Sequence, residues 1–322
     1  MSGTTSSPPN ALKAWAVVVT GIGLALPGVA TYSDLLGPLP GEGGFDPATG
    51  LRGREMRQKD HASRLALRAA ESALHDAGWT DPHPSISGAA DATAVVVSTN
   101  LGNVEDVCAA TDTIAAEGAW GLSPLGLPST SSNVIAGWVA IRHRLRGPNL
   151  TVCNGVTSGL DAIAWARTLI AAGRAEAAVV IGVEPANDVT AKLLGARPTD
   201  AAVAIVLEPA TTAASRGARP RATLAGYARA QDLSTALTTA GAAEKRPIGL
   251  WLGAETAAVA SQLHAATRRI DLESQLGPLS GALGVLQCAA ATAHLDSDAT
   301  GNVLATVGGS PHDAAAALVL TP

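Results

Sequence analysis

Aromatic residues make up only 3% of this 322-residue chain, with six Trp, two Tyr and one Phe. A core built without rings must draw its burial from Ala, Val and Leu, which favours close approach of backbones. Cysteine is also scarce. Cys108, Cys153 and Cys288 are odd in number and widely spaced, so no disulfide framework is indicated, and no CxxC pair or Cys/His cluster has the spacing of a metal site. This suits a reducing, cytoplasmic setting. Positive charge is deficient as well: 22 Lys and Arg against 27 Asp and Glu give a net charge of −5. That excludes the basic field a nucleic-acid partner requires. Two stretches, Ser123 to Ile141 and Ser274 to Leu295, lack charge, but their Pro, Ser, Gln and small residues indicate buried helices and no membrane partner. Residues 1–10 hold no basic segment followed by an apolar one, so no signal peptide is expected, and residues 1–13 read as a loose tail.

Hydrophobic residues amount to 47%, enough for a substantial core, and they are arranged as short apolar runs alternating with longer Ala-rich stretches of helical period. This alternation predicts an α/β fold with a buried sheet. Ala16 to Gly23 reads as a core strand, Asp60 to Ala77 as a helix stopped by Gly78, and Ala94 to Thr99 as a second strand. A strand at Asn149 to Val152, a helix over Ser158 to Ala172, and strands at Ala177 to Val183 and Thr199 to Glu208 complete an N-terminal half, 14–209. After a crossing segment, 210–219, the order restarts over 220–322. Ala222 to Gly226 and Ile248 to Gly253 read as strands, Ser280 to Leu295 as a helix, and Asn302 to Val307 and Ala314 to Leu320 as closing strands. The pattern is that of two duplicated βαβαβαββ halves. Gly21-Ile22-Gly23 and Asn100-Leu101-Gly102 lack the spacing of a phosphate-binding loop, and glycines at strand ends are assigned to tight turns.

Five segments occur in order: Val17-Val18-Val19-Thr20-Gly21-Ile22-Gly23, Pro128 to Gly137 with Asn133, Gly147-Pro148-Asn149, Gly182-Val183-Glu184 and Gly281-Ala282-Leu283-Gly284. Together they make the chain, from about Ala14 onward, resemble the ketosynthase group of the thiolase superfamily. The resemblance implies a thiolase-like fold, its two halves in a layered α/β/α/β/α arrangement. It also implies a cysteine that accepts an acyl chain from acyl carrier protein and two histidines that support decarboxylation and condensation. Each of those positions is altered here. In Gly147-Pro148-Asn149-Leu150-Thr151-Val152-Cys153-Asn154-Gly155-Val156-Thr157-Ser158-Gly159 the nucleophile position holds Val156. Trp251-Leu252-Gly253-Ala254-Glu255-Thr256 places Leu252 at the first histidine. Glu273-Ser274-Gln275-Leu276-Gly277-Pro278 places Pro278 at the second, with Glu273 at the accompanying lysine. Val, Leu and Pro neither attack a carbonyl nor transfer a proton. As an apolar residue beyond a strand, Val156 is expected to be buried. His61, His75, His83, His143, His264, His294 and His312 match neither histidine position.

Ile141-Arg142-His143-Arg144-Leu145-Arg146-Gly147-Pro148 is similar to the I-R-H-x-x-R-G-P run of type II polyketide chain-length factors, although those commonly carry Gln at the nucleophile position. The chain is also shorter than ketosynthases between Glu184 and Asp200. The resemblance implies a subunit without catalysis or cofactor of its own, paired as a heterodimer with an active ketosynthase. The phosphopantetheine of the acyl carrier protein would then reach the partner subunit. In such factors the helix after the strand-end glycine bounds the acyl tunnel. Here Val104, Val107, Cys108 and Thr111 share one face of that helix, and the same pattern suits a plain core face. Two alternatives stand: an acyltransferase or hydrolase using Cys153 or a serine near Thr157-Ser158, or a homodimeric acyl-binding protein.

Overall fold

Most strands of this computed structural model are buried on both faces, which is why they read in the sequence as continuous apolar runs. Described residues are 16–39, 46, 51, 53, 56, 59–79, 89–242, 247–297, 300–309 and 313–322; the N-terminal tail, His83 and His312 lie outside them. Ten strands are formed among these residues: β1 (Val17–Ala25), β2 (Thr93–Ser98), β3 (Asn149–Val152), β4 (Ala177–Glu184), β5 (Ala201–Pro209), β6 (Ala222–Ala230), β7 (Ile248–Leu252), β8 (Arg268–Ile270), β9 (Asn302–Val307) and β10 (Ala315–Thr321). The helices are α1 (His61–Asp76), α2 (Val104–Glu117), α3 (Val134–His143), α4 (Ser158–Ala171), α5 (Asp188–Leu194), α6 (Ala210–Ser215), α7 (Leu233–Ala240), α8 (Ala257–Ala260), α9 (Glu273–Leu276) and α10 (Leu283–Asp296). No helix among the described residues is long and apolar enough to cross a membrane.

Strand order is β3-β2-β4-β5-β1-β6-β10-β9-β7-β8. The second five strands repeat the order of the first five in mirror image, and the duplication read from the sequence is therefore real in space. The two sheets are joined edge to edge through β1 and β6, at Val18 with Thr223 and Val19 with Ala222.

Period-two alternation sorts each strand between layers. In β5, Val203, Ile205 and Leu207 face a central layer, whereas Ala202, Ala204 and Val206 face outward beneath α1 and α3. In β10, Ala316, Leu318 and Leu320 enter the same central layer, while Ala317 and Val319 pack under α7. The central layer consists of α4 and α10. Eleven of the fourteen residues of α10 are buried, the all-round burial of a helix clamped between two sheets.

Glycine sets how close these layers come. A Cβ on Gly159 of α4 would lie 2.6 Å from the Gly284 backbone nitrogen, and one on Gly284 would lie 2.7 Å from the Gly159 carbonyl carbon. The helices thus cross backbone to backbone. Gly21 and Gly23 serve the same purpose, and the turn assigned to them from the sequence is corrected. They lie inside β1, where a Cβ on Gly21 would meet Ala77 of the α1 C-cap at 2.7 Å.

Gly284→Ala is expected to lower stability by about 1–3 kcal/mol through overpacking against immovable backbone. Gly137→Ala on α3, where a Cβ meets nothing within 4 Å, is expected to be neutral or stabilising by up to about 1 kcal/mol. Denaturant midpoints of the two variants test this, and equal effects would contradict the crossing.

Candidate functional site

Loops from both halves converge at the C-terminal ends of β2, β4, β7 and β9, the usual place for a site in an open α/β sheet. Their centre is a one-turn 3₁₀ segment, Gly155–Thr157, that leads into α4. Asn100, just past β2, holds this turn. Its Nδ2 donates to the Gly155 carbonyl at 2.9 Å and to Ser280 Oγ at 2.9 Å, while its Oδ1 accepts from Gly155 N at 3.1 Å and Ser158 Oγ at 2.9 Å. All four bonding positions of the amide are filled.

A second polar residue holds the other side of the turn. The carboxylate of Asp161, 4% exposed, accepts from Asn154 Nδ2 at 2.9 Å, from Thr157 Oγ1 at 2.8 Å and from the Tyr227 hydroxyl of β6. Arg229 Nε lies 3.5 Å from the same carboxylate. Burial, and then the bond to Asp161, push the Tyr227 phenol above its ordinary value.

With its neighbours fastened on both sides, Val156 projects outward. It is 39% exposed, which corrects its expected burial. It lines a cavity of about 160 Å³ together with Gly253, Ala254, Asp271, Glu273, Ser280, Gln287 and Thr306. Two of the four altered positions, Val156 and Glu273, therefore meet in one cavity, where Glu273 Oε1 accepts from Leu279 N at 2.8 Å. The other two do not. Leu252 ends β7 with its side chain in the central core, and Pro278 sits between α9 and the 3₁₀ turn at Ser280. Among the described lining residues there is no Cys, His or Lys.

Glu184, the last residue of β4, joins the halves from beneath. It is 2% exposed, and its carboxylate accepts from the backbone nitrogens of Asn100, Leu101 and Gly281 and from the Ser280 hydroxyl. Burial pushes this carboxyl up to about 7 against the opposing pull of those donors. Ser280 is held at φ +44° by its bonds to Asn100 and Glu184, a left-handed conformation costly for a non-glycine residue.

Cys153 lies at the end of β3, three residues before Val156, and is exposed. Partial desolvation of its sulfur, and then the Glu184 carboxylate, push the thiol above its ordinary value, the opposite of nucleophile activation. The proposed helix face also differs from one of its two readings. No residue of α2 is buried, so Val104, Val107, Cys108 and Thr111 form no core face, and none of them lines the cavity. The Thr111 hydroxyl donates to the Val107 carbonyl at 2.8 Å. Asn133 precedes α3, where its Oδ1 accepts from Ser131 Oγ at 2.6 Å. Sequence reasoning missed Asn100, Asp161, Glu184 and Ser280 as site-building residues. The available signal was a polar residue directly at the end of an apolar strand or next to a motif glycine.

Glu184 makes stability depend on pH. Its folded pKa of about 7 lies above the ordinary carboxyl value of 4.5, so the native state holds the proton more tightly. Its contribution is full below about pH 4.5 and is lost as pH rises through 7. Glu184→Gln is expected to flatten the fall in the unfolding midpoint between pH 5 and pH 8, while lowering the midpoint at pH 5 because the amide cannot accept from all of the donors. An unchanged slope would place the titration elsewhere.

The model of the beta-ketoacyl synthase N-terminal domain matches residues 29–197, just over half of the chain. Over 143 residues the chain is 35% identical to 3-oxoacyl-[acyl-carrier-protein] synthase 2 of Rhizobium meliloti (strain 1021), covering 44% of this chain and 33% of that protein. It is 34% identical over 189 residues to putative polyketide beta-ketoacyl synthase 1 of Streptomyces halstedii, covering 50% of this chain and 44% of that protein. The matches thus span a third to under half of these relatives. In structure it is similar to the ishigamide ketosynthase/chain length factor, with a TM-score of 0.74 and 24% identity over 95% of this chain and 99% of that one. A type II polyketide acyl-carrier protein in complex with its ketosynthase gives a TM-score of 0.78 at 19% identity, again over 95% of this chain and 99% of that one. With its mirrored five-stranded halves and this family match, the chain belongs to the beta-ketoacyl synthases of the thiolase superfamily.

Proposed function

We propose that this chain is a non-catalytic ketosynthase homologue that pairs with an active ketosynthase and sets acyl chain length in type II polyketide biosynthesis. The observation that carries the reading is Val156, held by Asn100 and Asp161 at the apex of an intact turn. The turn is kept and the reacting atom is not. Covalent acyl transfer needs a nucleophile with a base in reach, and a valine at the apex supplies neither. The partner's cysteine and histidines would perform condensation, with the phosphopantetheine arm of acyl carrier protein delivered to that subunit.

The outer surface favours a paired state. A fourteen-residue helix without one buried residue, α2, runs into a segment whose Trp120 is 99% exposed, Leu125 68% and Leu127 45%. Apolar groups so arranged mark an interaction surface. Val104, Val107, Cys108 and Thr111 would bound the acyl tunnel where the chains meet, and Asn133 would lie at the same interface. With no ring on that face the tunnel is open, which suits a long or rigid acyl product.

Co-expression with an intact ketosynthase is expected to yield a stable heterodimer, and incubation of this chain alone with acyl-loaded carrier protein is expected to yield no covalent adduct by mass spectrometry. An adduct on Cys153 or a serine would favour the acyltransferase reading. Persistent homodimers without product would favour the acyl-binding one. In the reconstituted pair, Val107→Trp or Thr111→Trp is expected to shorten the products. Unchanged product length would remove both residues from the tunnel.

A further inference from the structure

Between Arg68 and Arg142 the chain has no Lys or Arg. That stretch includes α2 and the segment after it, and residues 104–133 carry Glu105, Asp106, Asp112 and Glu117 against no Lys, Arg or His. The same residues present apolar side chains to solvent, with Val107 38% exposed, Ile114 48% and Trp120 99%. The fold supplies no compensating cation. Glu105, Asp112 and Glu117 are exposed, and no acid of α2 joins an ion pair among the described residues. Asp106 is half-buried, and desolvation, then the carboxylates of Asp60 and Glu105, push it up to about 6, the response of an acid that has lost water and gained like charges.

Helix geometry sets two of these acids at the edge of the apolar face. Cys108 lies three residues after Glu105 and four before Asp112, so the three line up along α2. The two carboxylates thus form a charged rim beside Val104, Cys108 and Thr111. In such an arrangement the apolar contacts hold a partner and the rim charges choose it. A second copy paired through this surface would set acid against acid where the two α2 helices meet.

We propose that charge selects the partner of this surface: α2 and the following segment dock on a homologous chain that presents Lys or Arg opposite Glu105 and Asp112, and not on a second copy of this chain. This selection rests on the paired reading above and adds what separates the right chain from the wrong one.

The test uses the complex formed by co-expression with an intact ketosynthase, its Kd measured by analytical ultracentrifugation at about 50 mM and about 500 mM KCl. The Kd of the unmodified complex is expected to rise about tenfold across that range. The double variant Glu105→Gln and Asp112→Asn, which keeps side-chain shape and removes charge, is expected to weaken the complex about tenfold at the lower salt and to remove most of the salt dependence. Glu71→Gln, at an exposed position of α1, is expected to change neither, and the unmodified chain alone is expected to form no dimer at the lower salt. A Kd indifferent to salt and to the double variant overturns the selection and leaves the pairing standing. An equal effect of Glu71→Gln does the same, since it would mean a field of the whole molecule, and a stable homodimer of the unmodified chain also overturns it. Absence of any complex at either salt removes the pairing itself, and the selection with it.

Discussion

The arrangement depends on one contact, the crossing of α4 and α10 with Gly159 against Gly284. Two five-stranded sheets face a layer only one helix thick, and that layer closes because neither helix presents a side chain at the crossing. Ala, Val and Leu fill the space on either side. Few rings enter this layer; Tyr227 of β6 is one, and its hydroxyl bonds Asp161 of α4.

The site is a direct product of the same contact. Gly159 stands two residues into α4 and Gly284 two residues into α10, so the crossing brings the two helix N-termini together. The turn at Gly155–Thr157 and the turn at Ser280–Ala282 then lie within reach of one side chain, Asn100. Glu184 completes the junction from the end of β4. Its burial and its raised pKa are the cost of tying three loops to one carboxylate, a tension that a fully hydrogen-bonded buried network sustains and a partial one does not.

Asn100, Asp161 and Glu184 build and hold the turn whatever occupies its apex. Val156 stands at that apex, 39% exposed, and takes no part in the bonds that fasten the turn. Beside it lies a cavity with two carboxylates, Asp271 and Glu273, along otherwise largely apolar walls. The outer surface carries the unburied α2 and the exposed Trp120.

The sequence by itself determined the fold class, the duplication and most element positions. Apolar runs of strand length, helical periodicity between them, and a motif kept around a single changed residue are all local properties. Helix α1, for example, was legible from Asp60 to Ala77 because its cap and stop signals sit in the chain next to it; Asp60 indeed accepts from Ser63 N at 2.7 Å. Only the tertiary structure decided which residues meet. Val156 and Glu273, 117 positions apart, line one cavity, whereas Leu252, next to Gly253 of that lining, points into the core because strand alternation directs it there. Neither Asn100 nor Glu184 shows its role in the segment that contains it. Their roles arise from donors and acceptors supplied by distant segments, which become neighbours only once two glycines allow two helices to touch.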